Sequence, residues 1–290
     1  MSSGVNVHKA MSRRSYLFVP GSRPERWGKA IAAGADAVII DLEDAVAPQD
    51  KADARRAVLA FLKEAPEGAG DIFVRINSPR SLIGHHDLGG LLDAASSGAR
   101  FGGIVVPKAS VGDVALLGDL IADVDKSIEI GALIETCAGI EDAPKIAKAS
   151  SFLTFLMFGG ADLASELGVE IAWDPLLPGR ARLVQAAAGA AISSIDMPWI
   201  ALADEAGERA EMQRSFALGF KGRAAIHPKQ VPIIHKMLAP DPDVVEQARR
   251  VIAAFEEAAG GVCLLDGRLV ERPIIERSRQ ILARAGRDSV

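Results

Sequence analysis

The segment YLFVPGSRPERWGKAIAAGADAVIIDLED, residues 16–44, contains one full turn of the pattern that decides the fold. Its first five residues, YLFVP, form a short apolar run. Residues 24–33 then have the spacing of an amphipathic helix, with Pro24 where a first helical turn tolerates proline and Gly34 where a C-terminal cap belongs. AVIID, residues 37–41, is apolar again and finishes in a charge. Neither run alternates strictly between apolar and polar, as expected of strands covered on both faces. Strand, helix, strand with both faces buried is a parallel βα unit.

The same alternation continues outward along the chain. Further strands are expected at 72–77, 103–107, 130–135, 154–158, 199–203 and 224–227, which with 16–20 and 37–41 makes eight. Helices are expected between them at 51–64, 81–95, 111–124, 140–149, 180–195 and 205–217, with Gly219 as a cap. Eight strand–helix repeats predict an α/β protein with a closed (β/α)₈ TIM barrel over residues 13–240 rather than an open doubly wound sheet. Residues 1–12 have no apolar core and read as a loose, flexible N-terminal tail. Residues 241–290 exceed what barrel closure needs. They are expected to form a long helix (241–259), a break at Gly260 and Gly261, a hairpin (262–270) around Asp266–Gly267 and a final helix (273–285). Such a C-terminal extension would serve as a lid or as an arm onto a neighbouring subunit.

Composition narrows the function classes. Of 290 residues, 49% are hydrophobic and 24% charged, enough for a large core. The net charge of −5 has no basic stripe, which argues against nucleic acid as a partner. No apolar run reaches the roughly 20 residues of a membrane span. The only cysteines, Cys137 and Cys263, lack the spacing of a disulfide framework or a zinc site, so a reducing, cytoplasmic setting is expected.

In a barrel of this kind the active site lies at the C-terminal ends of the strands, and here nearly every strand ends in a polar group. The second runs into Asp41, Glu43 and Asp44, the third into Arg75 and Asn77, and the fourth into Lys108. The fifth reaches Glu135, the sixth Gly159, Gly160, Ala161 and Asp162, the seventh Asp204 and the eighth His227. Glu135 and Asp162 fall on neighbouring strands, and two carboxylates without nearby His or Cys make a hard-cation site suited to Mg²⁺ or Mn²⁺. A helix cap or a salt bridge would also account for either of them. Arg75 would point into the mouth, to bind a carboxylate or a developing oxyanion, or else to pair with Asp41, Glu43 or Asp44. Among those three acids, Asp44 and Glu43 are better candidates for a functional role than Asp41. The Gly159–Gly160 pair lets backbone approach a ligand and offers N–H groups to a carboxylate, although a turn needing positive φ would look the same. Lys108 and His227 are placed at the mouth without an identified partner.

Six segments, taken in order, are similar to the citrate lyase beta-subunit-like family: RSYLFVPG (14–21), GADAVIIDLEDAVAP (34–48), VRIN (74–77), LIET (133–136), GGADL (159–163) and IHPKQ (226–230). That group includes malyl-CoA and citramalyl-CoA lyases and belongs to a larger metal-dependent aldolase superfamily. The resemblance covers nearly the whole chain from Arg14. It implies a Mg²⁺-dependent carbon–carbon lyase that cleaves a β-hydroxyacyl-CoA thioester by retro-Claisen chemistry to an acyl-CoA and a 2-oxo acid. It implies further that Glu135 and Asp162 hold the metal and that Arg75 stabilises the oxo-acid oxygen. The backbone at Gly159, Gly160, Ala161 and Asp162 would bind the acid's carboxylate, Lys108 and Asp44 would lie at the site, and a homotrimer or hexamer would form with the Coenzyme A thioester near the barrel mouth. Where relatives carry a C-terminal Asp that exchanges a proton at a neighbouring subunit's site, the matching segment GRLVERP (267–273) has Glu271. A citrate lyase beta subunit acting on a citryl-acyl-carrier thioester, a non-catalytic thioester binder and a sugar-acid aldolase are the alternatives.

Overall fold

The computed structural model describes residues 12–64, 71–258 and 263–285. It divides into two compact units, the first ending at His235 and the second beginning at Lys236. In the first, eight strands close a parallel barrel in chain order: β1 (Ser15–Pro20), β2 (Ala37–Asp41), β3 (Asp71–Arg75), β4 (Gly103–Val106), β5 (Glu129–Ile134), β6 (Leu153–Phe158), β7 (Ser193–Asp196) and β8 (Gly222–Ala225). β1 pairs in parallel with both β2 and β8, which closes the ring and gives the (β/α)₈ fold that the repeat count predicts.

The connecting helices are α1 (Pro24–Ala32), α2 (Lys51–Glu64), α3 (Leu82–Ser96), α4 (Val111–Val124), α5 (Cys137–Ile146), α6 (Gly160–Leu167), α7 (Trp173–Gly189), α8 (Glu205–Leu218) and α9 (Gln230–Leu238). Local chemistry sets several of their starts. Ser81, Ser110, Thr136 and Asp204 each accept a backbone N–H at the head of α3, α4, α5 and α8, and Ser110 with Asp113 forms a full capping box. Gly219 closes α8 at φ +120, a conformation that a side chain would disfavour.

The barrel interior is filled by Tyr16, Ile39, Phe73, Val105, Leu133, Phe155, Met157 and Ile195. The Tyr16 and Phe155 rings stand 4.8 Å apart, and Phe73 meets Phe155 edge-on at 5.7 Å. A Cβ at Gly131 would stand 2.1 Å from the Phe155 ring, so glycine there makes room for the largest interior side chain of that layer. Below these rings, at the N-terminal end of the strands, Arg13 donates to Asp71 at 2.7 Å and to both oxygens of Glu129 at 2.8 and 2.6 Å.

Two expectations need correction. The seventh strand is SSID, Ser193–Asp196, not 199–203, and the helix expected at 180–195 ends at Gly189. WIALA is the more apolar string, yet Ile200 and Leu202 are more than half exposed, while every residue of SSID is buried. Two polar members of SSID are supported from distant chain: the Asp196 carboxylate accepts from Arg180 at 3.1 Å, and Ser194 donates to the Gly219 carbonyl. Asp204 therefore caps α8 instead of ending a strand. Asp162 likewise stands in the first turn of α6, one step past β6.

In the second unit, Asp241 caps α10 (Pro242–Glu257), which is followed by the hairpin strands β9 (Cys263–Leu265) and β10 (Arg268–Val270) and by α11 (Arg272–Ala285). Asp266 and Gly267 take φ of +52 and +72, the pattern of a tight two-residue hairpin turn. Val251, Val270 and Ile275 form this unit's small core. Gly260 and Gly261, expected to break the chain, and the expected tail over 1–11 lie outside the described residues. Among the described residues, no helix is long and apolar enough to cross a membrane.

Candidate active site

The C-terminal ends of β2 and β3 bring Asp41 opposite Arg75 in register. Arg75 donates through Nε to Asp41 Oδ1 at 2.7 Å and through Nη2 to Oδ2 at 2.6 Å, a two-pronged pair that fixes the plane of the guanidinium. The same carboxylate accepts the N–H groups of Glu43 and Ala45, so it shapes the loop after β2 as well. The third arm of Arg75, Nη1, faces Glu43 Oε2 at 2.9 Å and Asp44 Oδ2 at 3.4 Å. Burial alone would lower the affinity of Arg75 for its proton, but the bonds to Asp41 and the charges of Asp41, Glu43 and Asp44 outweigh it and raise that affinity. Both readings of Arg75 thus meet in one arrangement: it is salt-bridged to all three acids, and it lines the cavity.

Glu135 follows β5 and is only 3% exposed. Its Oε1 accepts the backbone N–H of Lys108 at 2.8 Å. Burial pushes its carboxyl up to about 8, the charges of Glu43 and Asp162 add to the rise, and Lys108 opposes it. Glu43 is also pushed up by burial. Lys108 sits at φ +45, in the left-handed region that costs a side-chain-bearing residue roughly 1–2 kcal/mol. Its ammonium lies 2.9 Å from Asp162 Oδ2, 3.3 Å from Glu43 Oε1 and 3.8 Å from Glu135 Oε1. Lys108, without an identified partner in the sequence, is thus the cation at which three carboxylates from different strand ends converge.

Gly159 differs from the expectation of a free donor, because its N–H bonds to the Ile134 carbonyl at 3.0 Å. Its φ of −100 requires no glycine either. The reason for glycine is proximity: an added Cβ would stand 2.3 Å from Glu135 Cβ and 2.7 Å from its Oε2. The donors available for an anion are instead the N–H groups of Gly160, Ala161 and Asp162, which open α6 where no side chain caps it.

These groups share one cavity of about 500 Å³, lined by Asp41, Asp44, Arg75, Glu135, Gly159, Gly160, Ala161 and Asp162. Apolar side chains complete the lining: Phe18, Met157, Met197, Pro198, Ile200 and Ile226. Of the candidates read from sequence, only Glu271 belongs to the second unit, where it is exposed at the head of α11. His227 accepts the Lys229 N–H through Nδ1, a local turn contact. Sequence reasoning ranked Asp41 last of its three acids, although Asp41 is what orients Arg75. It also missed the apolar lining at Met197, Pro198 and Ile200, because the seventh strand was expected to start six residues too late to place them at the mouth. An arginine inside a strand ought to have prompted a search for a dedicated carboxylate on the neighbouring strand.

Among the described residues, no group of three or more His, Cys, Asp or Glu side chains converges as a complete metal cage. The donors present nevertheless fit a hard divalent cation that keeps water and substrate ligands. Glu135 and Asp162 supply oxygen only, and burial together with the neighbouring charges of Glu43 and Asp162 holds the Glu135 carboxyl well above the usual range, which a bound cation would relieve.

Residues 14–228 match the model of the HpcH/HpaI aldolase/citrate lyase family. A (3S)-malyl-CoA thioesterase of Cereibacter sphaeroides (strain KD131) is 37% identical over 285 residues, covering 96% of each chain. An L-malyl-CoA/beta-methylmalyl-CoA lyase of the same species (strain ATCC 17025) is 33% identical over 305 residues, covering 95% of each. Among solved structures, the protein CitE from Mycobacterium tuberculosis in complex with magnesium, acetoacetate and coenzyme A superposes with a TM-score of 0.78 at 31% identity, covering 95% of this chain and 98% of that one.

Proposed function

This chain belongs to the HpcH/HpaI aldolase/citrate lyase family, and on that premise we propose that it is a Mg²⁺-dependent lyase that splits a malyl-CoA-type thioester into an acyl-CoA and a 2-oxo acid. The observation that carries this reading is the gathering of Glu135, Asp162 and the Asp41-oriented Arg75 around one cavity whose lining also offers apolar surface. The substrate's two ends need these two surfaces, since the oxo-acid half is anionic and the acyl half is not.

Each group has a task in that cleavage. Glu135 and Asp162 hold the metal, which supplies Lewis-acid polarisation of the oxo-acid half when bound. The N–H groups of Gly160, Ala161 and Asp162 receive the acid's carboxylate at the positive end of α6. Asp44, the most open acid beside Arg75, takes the proton of the substrate hydroxyl. As the carbon–carbon bond breaks, that oxygen becomes the carbonyl of the 2-oxo acid and the bond's electron pair passes to the thioester α-carbon. Arg75 offsets the negative charge that develops on oxygen, already in its final orientation. The α-carbon then takes a proton from Glu271, one methylene longer than the Asp of similar lyases, reached from a neighbouring copy in a homotrimer or hexamer. A cytoplasmic Coenzyme A pool would supply the substrate.

A second reading is favoured by the thioesterase among the relatives, in which water would cleave the thioester and release a hydroxy acid. Incubation with Mg²⁺ and (3S)-malyl-CoA, β-methylmalyl-CoA or citramalyl-CoA separates the two. The lyase reading expects a 2-oxo acid, trapped as its phenylhydrazone, with no free thiol. Free Coenzyme A appearing as thiol, with a hydroxy acid and no 2-oxo acid, would replace it with the thioesterase.

A further inference from the structure

We infer that Lys108 is a built-in counter-cation that holds the site's carboxylates together in the metal-free protein and gives up its place to Mg²⁺. The inference rests on the reading that Glu135 and Asp162 are the metal's ligands.

Three observations support it independently. Lys108 gathers three acids at one atom, with Nζ at 2.9 Å from Asp162, 3.3 Å from Glu43 and 3.8 Å from Glu135. Its backbone is held at φ +45, which turns its N–H onto Glu135 Oε1 while the same residue's side chain reaches Asp162. A conformation that residues with a side chain rarely adopt persists only where its surroundings favour it. Lastly, the lysine side chain remains 45% exposed, so it has solvent to move into, whereas Arg75 is buried and pinned on three sides. An ammonium is a compact point charge on a flexible stem, suited to leaving, and a guanidinium bound in two prongs is suited to staying.

An ammonium and a divalent cation cannot share the space between Asp162 and Glu135 without strong repulsion. In the metal-free protein Lys108 lies within 4 Å of both Glu135 and Asp162, while Arg75 is engaged by Asp41, Glu43 and Asp44, so without Lys108 the acids at the ends of β5 and β6 would repel each other and spread. With Mg²⁺ present, the lysine keeps Glu43 as its remaining partner. The cost of displacing it lowers metal affinity, which would keep binding loose enough for the metal to enter with the anionic substrate rather than sit permanently on the protein.

The test is Mg²⁺ titration of the full-length protein by calorimetry, with no substrate present. Lys108→Met is expected to bind Mg²⁺ about tenfold tighter than the wild type, and to melt lower without metal while regaining more of its melting temperature with it. Lys108→Arg, which keeps the charge, is expected to stay within about threefold of the wild type. Equal or weaker binding by Lys108→Met, with the wild type binding normally, overturns the inference and leaves the metal reading standing. No binding by either protein overturns both, and binding by Lys108→Met alone supports the inference. Should Lys108→Met fail to fold, reductive methylation of the wild type gives the answer. Mg²⁺ is expected to speed labelling at Lys108 severalfold relative to other lysines, as read by mass spectrometry, and an unchanged or slower rate overturns the inference.

Discussion

The two ends of the barrel use the same residue types to opposite effect. At the N-terminal end Arg13 is 2% exposed and its three nitrogens each find an oxygen of Asp71 or Glu129, with Thr154 adding a donor to Glu129 at 2.7 Å. At the C-terminal end Arg75 and Lys108 pair with five acids, Asp41, Glu43, Asp44, Glu135 and Asp162, Arg26 also lines the cavity, and the Lys108 side chain is nearly half open to water. One end is a closed ion cluster and the other is an open one short of positive charge. The difference teaches that burial of charge alone does not mark a site: an unbalanced cluster beside a cavity does.

Changes at each end should therefore separate stability from activity. The largest effect expected is that of Glu135→Gln, which removes a proposed metal ligand. It should cut kcat/KM for the proposed cleavage by about a thousandfold, roughly 4 kcal/mol of barrier, and abolish Mg²⁺ binding in calorimetry while the melting temperature stays within a few degrees. Retained activity in that variant would remove the metal assignment. At the other end, Glu129→Gln leaves buried Arg13 with Asp71 alone. Urea melts should show a loss of about 3 kcal/mol, with kcat per folded molecule unchanged. A fall in kcat would mean that the two ends are coupled after all.

Gly159→Ala comes next. Its Cβ would press on Glu135 at 2.3 Å, so activity should drop about a hundredfold through displacement of that carboxylate, with stability less affected than by Glu129→Gln. Normal kinetics would show that Glu135 yields without consequence.

The smallest effect concerns acid. Asp36, near the closed end, is partly buried, which by itself would raise its carboxyl, but bonds from His235 and Arg14 bring it down to about 2. A carboxyl held lower in the folded than in the unfolded chain stabilises the fold above its ordinary value near 3.8. That contribution, roughly 2 kcal/mol, disappears as pH falls from about 4 through 2. Acid titration followed by circular dichroism should thus show Asp36→Asn starting less stable at pH 6 and losing less between pH 4 and 2 than the wild type. Parallel curves would assign the acid sensitivity elsewhere.

Much of this was legible in the chain because its signals are local. The helices at 51–64 and 111–124 match the expectation in both bounds, since capping and apolar spacing are written within one or two turns. The charged residues that line the cavity at Asp41, Asp44, Arg75, Glu135 and Asp162 were found by a rule of topology, the charge at the end of an apolar strand, which needs no distances. The rule failed where long-range partners override composition. SSID is a strand because Arg180 and the Gly219 carbonyl satisfy Asp196 and Ser194, and neither partner can be seen from the tetrapeptide. Asp41 was undervalued for the same reason, as its worth lies in the register of β2 against β3.

The sequence by itself determined the eight-fold repeat, the barrel and the identity of the acids at its mouth, because hydrophobic period and turn chemistry act over a few residues. Only the tertiary structure decided that burial raises the carboxyls of Glu43 and Glu135 and which cation the acids share. Those properties depend on burial and on distances between side chains far apart in the chain: Lys108 stands between Glu43, 65 residues before it, and Asp162, well beyond it, and its ammonium comes within 4 Å of each because the barrel closes.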